Sequence, residues 1–130
     1  MSVPRRVAGL LDLAEADVEA ADLLAAKGNR YAAYHLQQAV EKLMKALLLA
    51  AGQEGGVEHR LDVLFARLSE EGPWKGRLRG FVGYTQYATT FRYPTPGGRI
   101  PAAPDPVELA KDLAVLRPLL EDLRRALAQT

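Results

Sequence analysis

Apolar residues recur along most of this chain at alternating steps of four and three, the spacing that lines one face of an α-helix. Val7, Leu11, Ala14, Val18, Ala21 and Ala25 form the first such line. It predicts a helix that begins after Ser2, tolerates Pro4 in its first turn, and ends at Gly28. Asp12, Glu15, Asp17, Glu19 and Asp22 fill the remaining faces. A second line, Ala32, Leu36, Ala39, Leu43, Ala46 and Ala50, predicts a helix over about Arg30 to Ala51, with Val40, Met44, Leu47 and Leu48 broadening its apolar side. Gly52, Gly55 and Gly56 mark the loop that follows.

Leu61, Leu64, Phe65 and Leu68 predict a shorter helix between Glu58 and Ser69, stopped by Gly72 and Pro73. Phe81, Tyr84, Ala88 and Phe91 sit at helical spacing and predict a fourth helix from Lys75 to Phe91. Gly76, Gly80 and Gly83 oppose it by about 1 kcal/mol each relative to alanine. Pro94 to Pro104 holds four prolines and the Gly97–Gly98 pair, and reads as a loop with a turn. The last helix has an N-cap in Asp105, proline at its first position in Pro106, and Glu108 placed to answer the cap. Leu109, Leu113, Leu116, Leu120, Leu123 and Leu127 carry its apolar side, and Pro118 predicts a bend near Ala114. Long helices with short connections pack as antiparallel neighbours. The expectation is one all-α domain over residues 1–130, an antiparallel up-and-down bundle of four to five helices.

Composition adds mainly exclusions. The 130 residues are 48% hydrophobic and 25% charged, ordinary for a globular protein. Without cysteine there is neither a disulfide framework nor a thiolate for zinc or nucleophilic catalysis. Asp12 interrupts any early secretory apolar run, and no apolar stretch reaches membrane-spanning length, so a cytoplasmic location is expected. Ser2 and Ser69, the only serines, are poorly set for a Ser-His-Asp triad. The two histidines lack any metal-ligand spacing, and no phosphate-cradling glycine motif is present. Neither cofactor, metal nor catalytic residue is expected.

Charge changes the picture through its distribution. The net charge is only +1, yet no acidic residue falls between Glu71 and Asp105. That window holds Lys75, Arg77, Arg79, Arg92 and Arg99 together with six of the nine aromatic residues. Cations interleaved with aromatics suit phosphates and bases, or an acidic protein partner. Phe81 and Phe91 read as core; Tyr84, Tyr87 and Tyr93 are open to either role. On the second helix, Tyr31, His35, Gln38, Lys42 and Lys45 share one line, with Glu41 and Lys45 an i,i+4 pair. That line suits a nucleotide or a partner surface, and equally a solvated face with a half-buried histidine. His59 is expected to cap the third helix or pack against the loop before it.

The run from Tyr31 to Leu48 (YAAYHLQQAVEKLMKALL) resembles the hallmark helix of HEPN domains, the higher eukaryotes and prokaryotes nucleotide-binding family. His59-Arg-Leu-Asp at the third helix and Phe91-Arg-Tyr-Pro after the fourth match the same pattern in order and spacing. The resemblance implies a bundle of four or five helices, commonly dimeric, and a nucleotide or RNA ligand. It also implies a partner: many small prokaryotic relatives work beside a minimal nucleotidyltransferase as toxin and antitoxin. Some branches are metal-independent ribonucleases with Arg and His separated by four to six residues near the start of the last helix. Here the only histidines are His35 and His59, so Arg92 to Arg117 cannot supply that motif. Binding residues carry over: His35, Gln38, Glu41, Lys42 and Lys45 from the hallmark helix, and Arg92 and Tyr93 from the later motif. Lys42, Lys45 and Arg92 are expected to meet phosphate, with Tyr31 or Tyr93 stacking on a base. The alternatives are a ribonuclease that uses His35 with Arg30, which has four residues between it and His35, and a module that only assembles with itself.

Overall fold

Ser2 starts the first helix by turning its hydroxyl onto the Arg5 N–H at 3.3 Å. In the computed structural model, which describes residues 2–128, α1 then runs from Val3 to Ala26 and α2 from Ala32 to Ala50. Both end in the same way. Gly28, at φ 68°, lets its own N–H reach the Ala25 carbonyl and the Asn29 N–H reach that of Leu24. Gly52, at φ 84°, does the same with Leu49, and Gln53 with Leu48. Only glycine adopts such a left-handed position cheaply, and the paired bonds satisfy carbonyls left open at a helix end. The short reversal at Gly28 lays α2 back along α1.

α3 spans Leu61–Arg67, α4 Trp74–Leu78 and α5 Pro106–Leu127. α5 starts as the Asp105-Pro106 pair predicts, with Asp105 accepting from the Val107 N–H at 2.9 Å, and continues through the exposed Pro118. The core gathers Val7, Leu11, Ala14, Val18 and Ala21 of α1 against Leu36, Ala39, Val40, Leu43 and Met44 of α2, closed by the leucines of α5. Ala25, Ala50 and Leu127, the last positions of three predicted lines, are only partly buried. No strand occurs among the described residues, and the all-helical bundle stands as expected.

Two expectations are corrected. The fourth helix is not one α-helix: after α4 the chain tightens into a 3-10 helix over Arg79–Tyr87 and another over Thr90–Arg92. The buried residues explain it. Leu78, Phe81, Tyr84 and Tyr87 lie three apart, and three residues per turn is the 3-10 period that stacks them on one edge. An α-helix would rotate each step away from the core. Gly80 and Gly83 remove the opposing α-preference. Second, α3 begins three residues later than expected. The Glu58 carboxylate accepts from the backbone N–H of His59 and Arg60, each at 3.1 Å, and holds them in a turn. Arg60, not His59, takes the N-cap position. The His59 ring instead turns inward to Glu41.

Candidate functional site

The polar line on α2 faces two neighbours, and each supplies a carboxylate or takes one. Asp17 comes from α1, where the sequence shows it only as one acid among several on the polar faces. One of its oxygens meets His35 Nδ1 at 3.0 Å and the other accepts from Lys42 Nζ at 2.6 Å. Glu41, itself buried, accepts from Lys45 Nζ at 3.2 Å and sits 3.2 Å from His59 Nδ1. The Lys45 stem is pressed on Gly55, where a Cβ would lie 2.5 Å from Lys45 Cγ, and its ammonium also reaches the Gly56 carbonyl at 3.0 Å.

Glutamines join the two groups. Lys42 Nζ lies 3.5 Å from Gln38 Oε1, Gln38 Nε2 donates to Gln37 Oε1 at 2.7 Å, and Gln37 Nε2 donates to Glu41 Oε1 at 3.1 Å and to the His59 carbonyl at 3.1 Å. A continuous polar chain therefore crosses α2 from His35 to His59. Its interior member, Gln37, is fully buried with its amide satisfied on both sides, as a buried polar group requires. Since an ionised carboxylate only accepts, each neutral histidine carries its proton on Nδ1 and leaves Nε2 as the free acceptor.

The other expected residues lie at the start of α2 and in the segment that follows the first 3-10 helix. Arg92 stacks its guanidinium 4.5 Å from the Tyr34 ring centroid and 6.0 Å from that of Tyr93. Tyr31 is 40% exposed and meets Phe91 edge-on at 6.4 Å, and Tyr93 is 65% exposed. Arg30 lies 4.2 Å over the Phe91 ring and donates to the Pro101 carbonyl at 2.5 Å, which pins the proline-rich loop. Among the described residues Arg92 and Arg99 form no ion pair. Two other cations of the window are paired, Lys75 with Glu70 at 2.9 Å and Arg77 with Asp122 at 2.7 Å, while Arg79 lies over the Phe65 ring at 5.1 Å with no ion pair among the described residues.

The tyrosines of the window divide. Tyr84 is buried and donates its hydroxyl to Asp112 at 2.6 Å. Burial, reinforced by that carboxylate, raises its pKa well beyond the ordinary phenol range. Burial also raises Tyr87, against a smaller opposing pull from Arg30. Both are packing residues, and Tyr93 alone of the three is open.

This arrangement can be set beside known proteins. The family model described as HEPN domain matches residues 7–127, nearly the whole chain. The chain belongs to the HEPN domain family. The crystal structure of TT1696 from Thermus thermophilus is similar in fold, with a TM-score of 0.65 and 24% identity, covering 92% of this chain and 97% of that one. No curated protein matches it by sequence. HEPN membership supports a role related to nucleotides or nucleic acids.

The HEPN hallmark helix thus splits by geometry. Tyr31 turns to Phe91 of the later motif, where Arg92 meets Tyr34 and Tyr93, while His35, Gln38, Glu41, Lys42 and Lys45 are drawn into the polar chain. Arg30 and His35 turn to different elements, Arg30 to the 91–101 segment and His35 to α1. Among the described residues no group of three His, Asp or Glu is placed to hold a metal, and no helix is long and apolar enough to cross a membrane. Sequence reasoning missed Asp17, Gln37 and Tyr34. Gln37 had a signal, since it interrupts the otherwise apolar line Ala33, Val40, Met44. Tyr34 lies three residues from Tyr31 on a helix, which is enough to suggest a shared edge. Asp17 had none.

Proposed function

We propose that this HEPN domain binds a nucleotide or a nucleic-acid strand at the surface around Arg92 and Tyr93, without catalysing a reaction on it. The observation that carries the reading is Arg92: exposed, free of any carboxylate partner among the described residues, and held between Tyr34 and Tyr93. Stacking on two rings fixes the guanidinium while leaving its donors open to a phosphate. Tyr31 and Tyr93 offer the exposed ring surface on which bases stack. His35, Gln38, Glu41, Lys42 and Lys45 support the site from behind by holding α1, α2 and the loop before α3 in place. The test is fluorescence anisotropy of a labelled oligouridylate hexamer at low salt. Arg92→Ala should weaken binding by about 1.5–3 kcal/mol, the scale of a hydrogen bond to a charged group. Unchanged affinity would remove Arg92 and with it this site.

The domain acts as a homodimer beside a nucleotidyltransferase-type protein, in a toxin–antitoxin-like pair. Family resemblance supports the partner. The dimer is supported by a second apolar line on α1, Leu13, Ala16, Ala20 and Leu23, whose leucines are 57% and 69% exposed. Tagged protein purified from its own cell lysate should bring down such an enzyme; recovery of the chain alone would leave only a self-assembling module.

A further inference from the structure

Beside His59 lies an open groove of about 600 Å3 between the start of α3 and the 3-10 segment. Its character differs from that of the arginine–tyrosine surface. Arg60 and Asp62 face each other in a two-pronged pair at 3.1 and 2.9 Å and cancel. Val82 and Ala88 give it apolar wall, and Thr89 and Thr90 line it with hydroxyls that take part in no hydrogen bond among the described residues. Opposite them stands His59, its side chain 56% exposed. Glu41 holds the Nδ1 side of the ring, so on the neutral ring the free acceptor is Nε2. Glu41 is in turn fixed by Lys45 and Gln37. The ring is therefore aimed by a buried network that reaches back through α2, more support than an exposed histidine needs for folding alone.

A neutral groove with one fixed acceptor, two free hydroxyls and apolar wall suits a group that both gives and takes hydrogen bonds and has a flat face. A sugar bearing adjacent hydroxyls fits this, and a phosphate does not. The groove ends at Thr90, and Arg92 follows two residues later on the same chain. We infer that the His59 groove holds the ribose of a bound ribonucleotide chain, with Nε2 accepting from the sugar 2′-hydroxyl, next to the phosphate at Arg92. This rests on the proposed binding at Arg92 and names what selects RNA over DNA there.

The test compares labelled hexamers of uridine and of 2′-deoxyuridine, which differ only in the 2′-hydroxyl. The parent protein should bind the ribo form about tenfold tighter. His59→Asn places an amide N–H where Nδ1 was, so Glu41 keeps a donor, while the Nε2 acceptor is lost. It should bring the two probes to within about twofold. Thr89→Ala with Thr90→Ala, which touches no internal hydrogen bond, should weaken the ribo probe several-fold and covers the case in which the His59 variant fails to fold. A ribo preference that survives both variants overturns the inference while leaving the Arg92 site standing. Dependence on His59 with none on Arg92 overturns that site and keeps the groove. Failure of the parent to bind either probe overturns both.

Discussion

Lys42, on the hallmark helix, and Arg92, on the later motif, are both partly or fully accessible cations, yet they stand in opposite situations. Lys42 meets Asp17 at 2.6 Å, and its neighbour Lys45 meets the buried Glu41 at 3.2 Å. Arg92 has rings on two sides and no carboxylate within ion-pair distance among the described residues. A phosphate approaching Lys42 must displace an existing anion, whereas one approaching Arg92 displaces only water. The availability of a charge is decided by what the tertiary fold places beside it, and the cations of the two motifs divide into fold-holding and ligand-ready sets.

Breaking the fold-holding set should produce the largest effect. Glu41→Leu leaves Lys45, Gln37 and the Nδ1 side of His59 without their shared acceptor. Removing one member of a buried pair typically costs about 3–5 kcal/mol, which a urea titration would read as a large drop in midpoint. A loss under about 1 kcal/mol would mean that the network is solvated and that its lysine is free after all. Tyr84→Phe is next, at about 1.5 kcal/mol, because it deletes a hydrogen bond to the Asp112 carboxylate. Its pH dependence separates packing tyrosines from open ones. The folded-state pKa of Tyr84 is raised above its unfolded value of about 10, so its contribution is full below that pH and is lost as pH rises beyond it. The parent should therefore lose thermal stability above about pH 10 more steeply than the Phe variant. Parallel alkaline profiles would remove Tyr84 as the cause.

The fold was legible wherever burial follows helical spacing. Val7 to Ala21 on α1, Leu36 to Met44 on α2 and Leu109 to Leu123 on α5 are buried as their lines require. The Ser2 and Asp105 caps and the Gly28 and Gly52 reversals are local chemistry, readable from a few residues. The stretch from Trp74 to Arg92 was not, because positions three apart satisfy both an α-helical face and a 3-10 edge. Three glycines weighed against the α-helix, but they do not say what replaces it. For the site, Arg92 and Tyr93 were visible through an acid-free window and a motif. The commitments of Lys42 and His35 were invisible, since Asp17 lies 25 and 18 residues away on another helix. Tyr34 likewise meets Arg92 only because the 3-10 segment returns the chain to the start of α2.

The sharpest form of the comparison predicts the smallest change. Lys42→Met keeps the stem that packs along α2 and removes the charge, so Asp17 retains His35 as its partner. The stability cost should stay under about 1 kcal/mol, as for other partly exposed ion pairs. Affinity for the oligouridylate hexamer should change less than twofold, and the dependence of affinity on salt should match that of the parent. Arg92→Ala should instead flatten that dependence by a slope of about 0.7, the value for one phosphate contact on a single strand. If Lys42→Met weakened binding and flattened the slope as Arg92→Ala does, the lysine would be leaving Asp17 to meet phosphate. The α2 line would then be part of the ligand surface, and the carboxylates behind it would be its resting partners in place of its permanent ones.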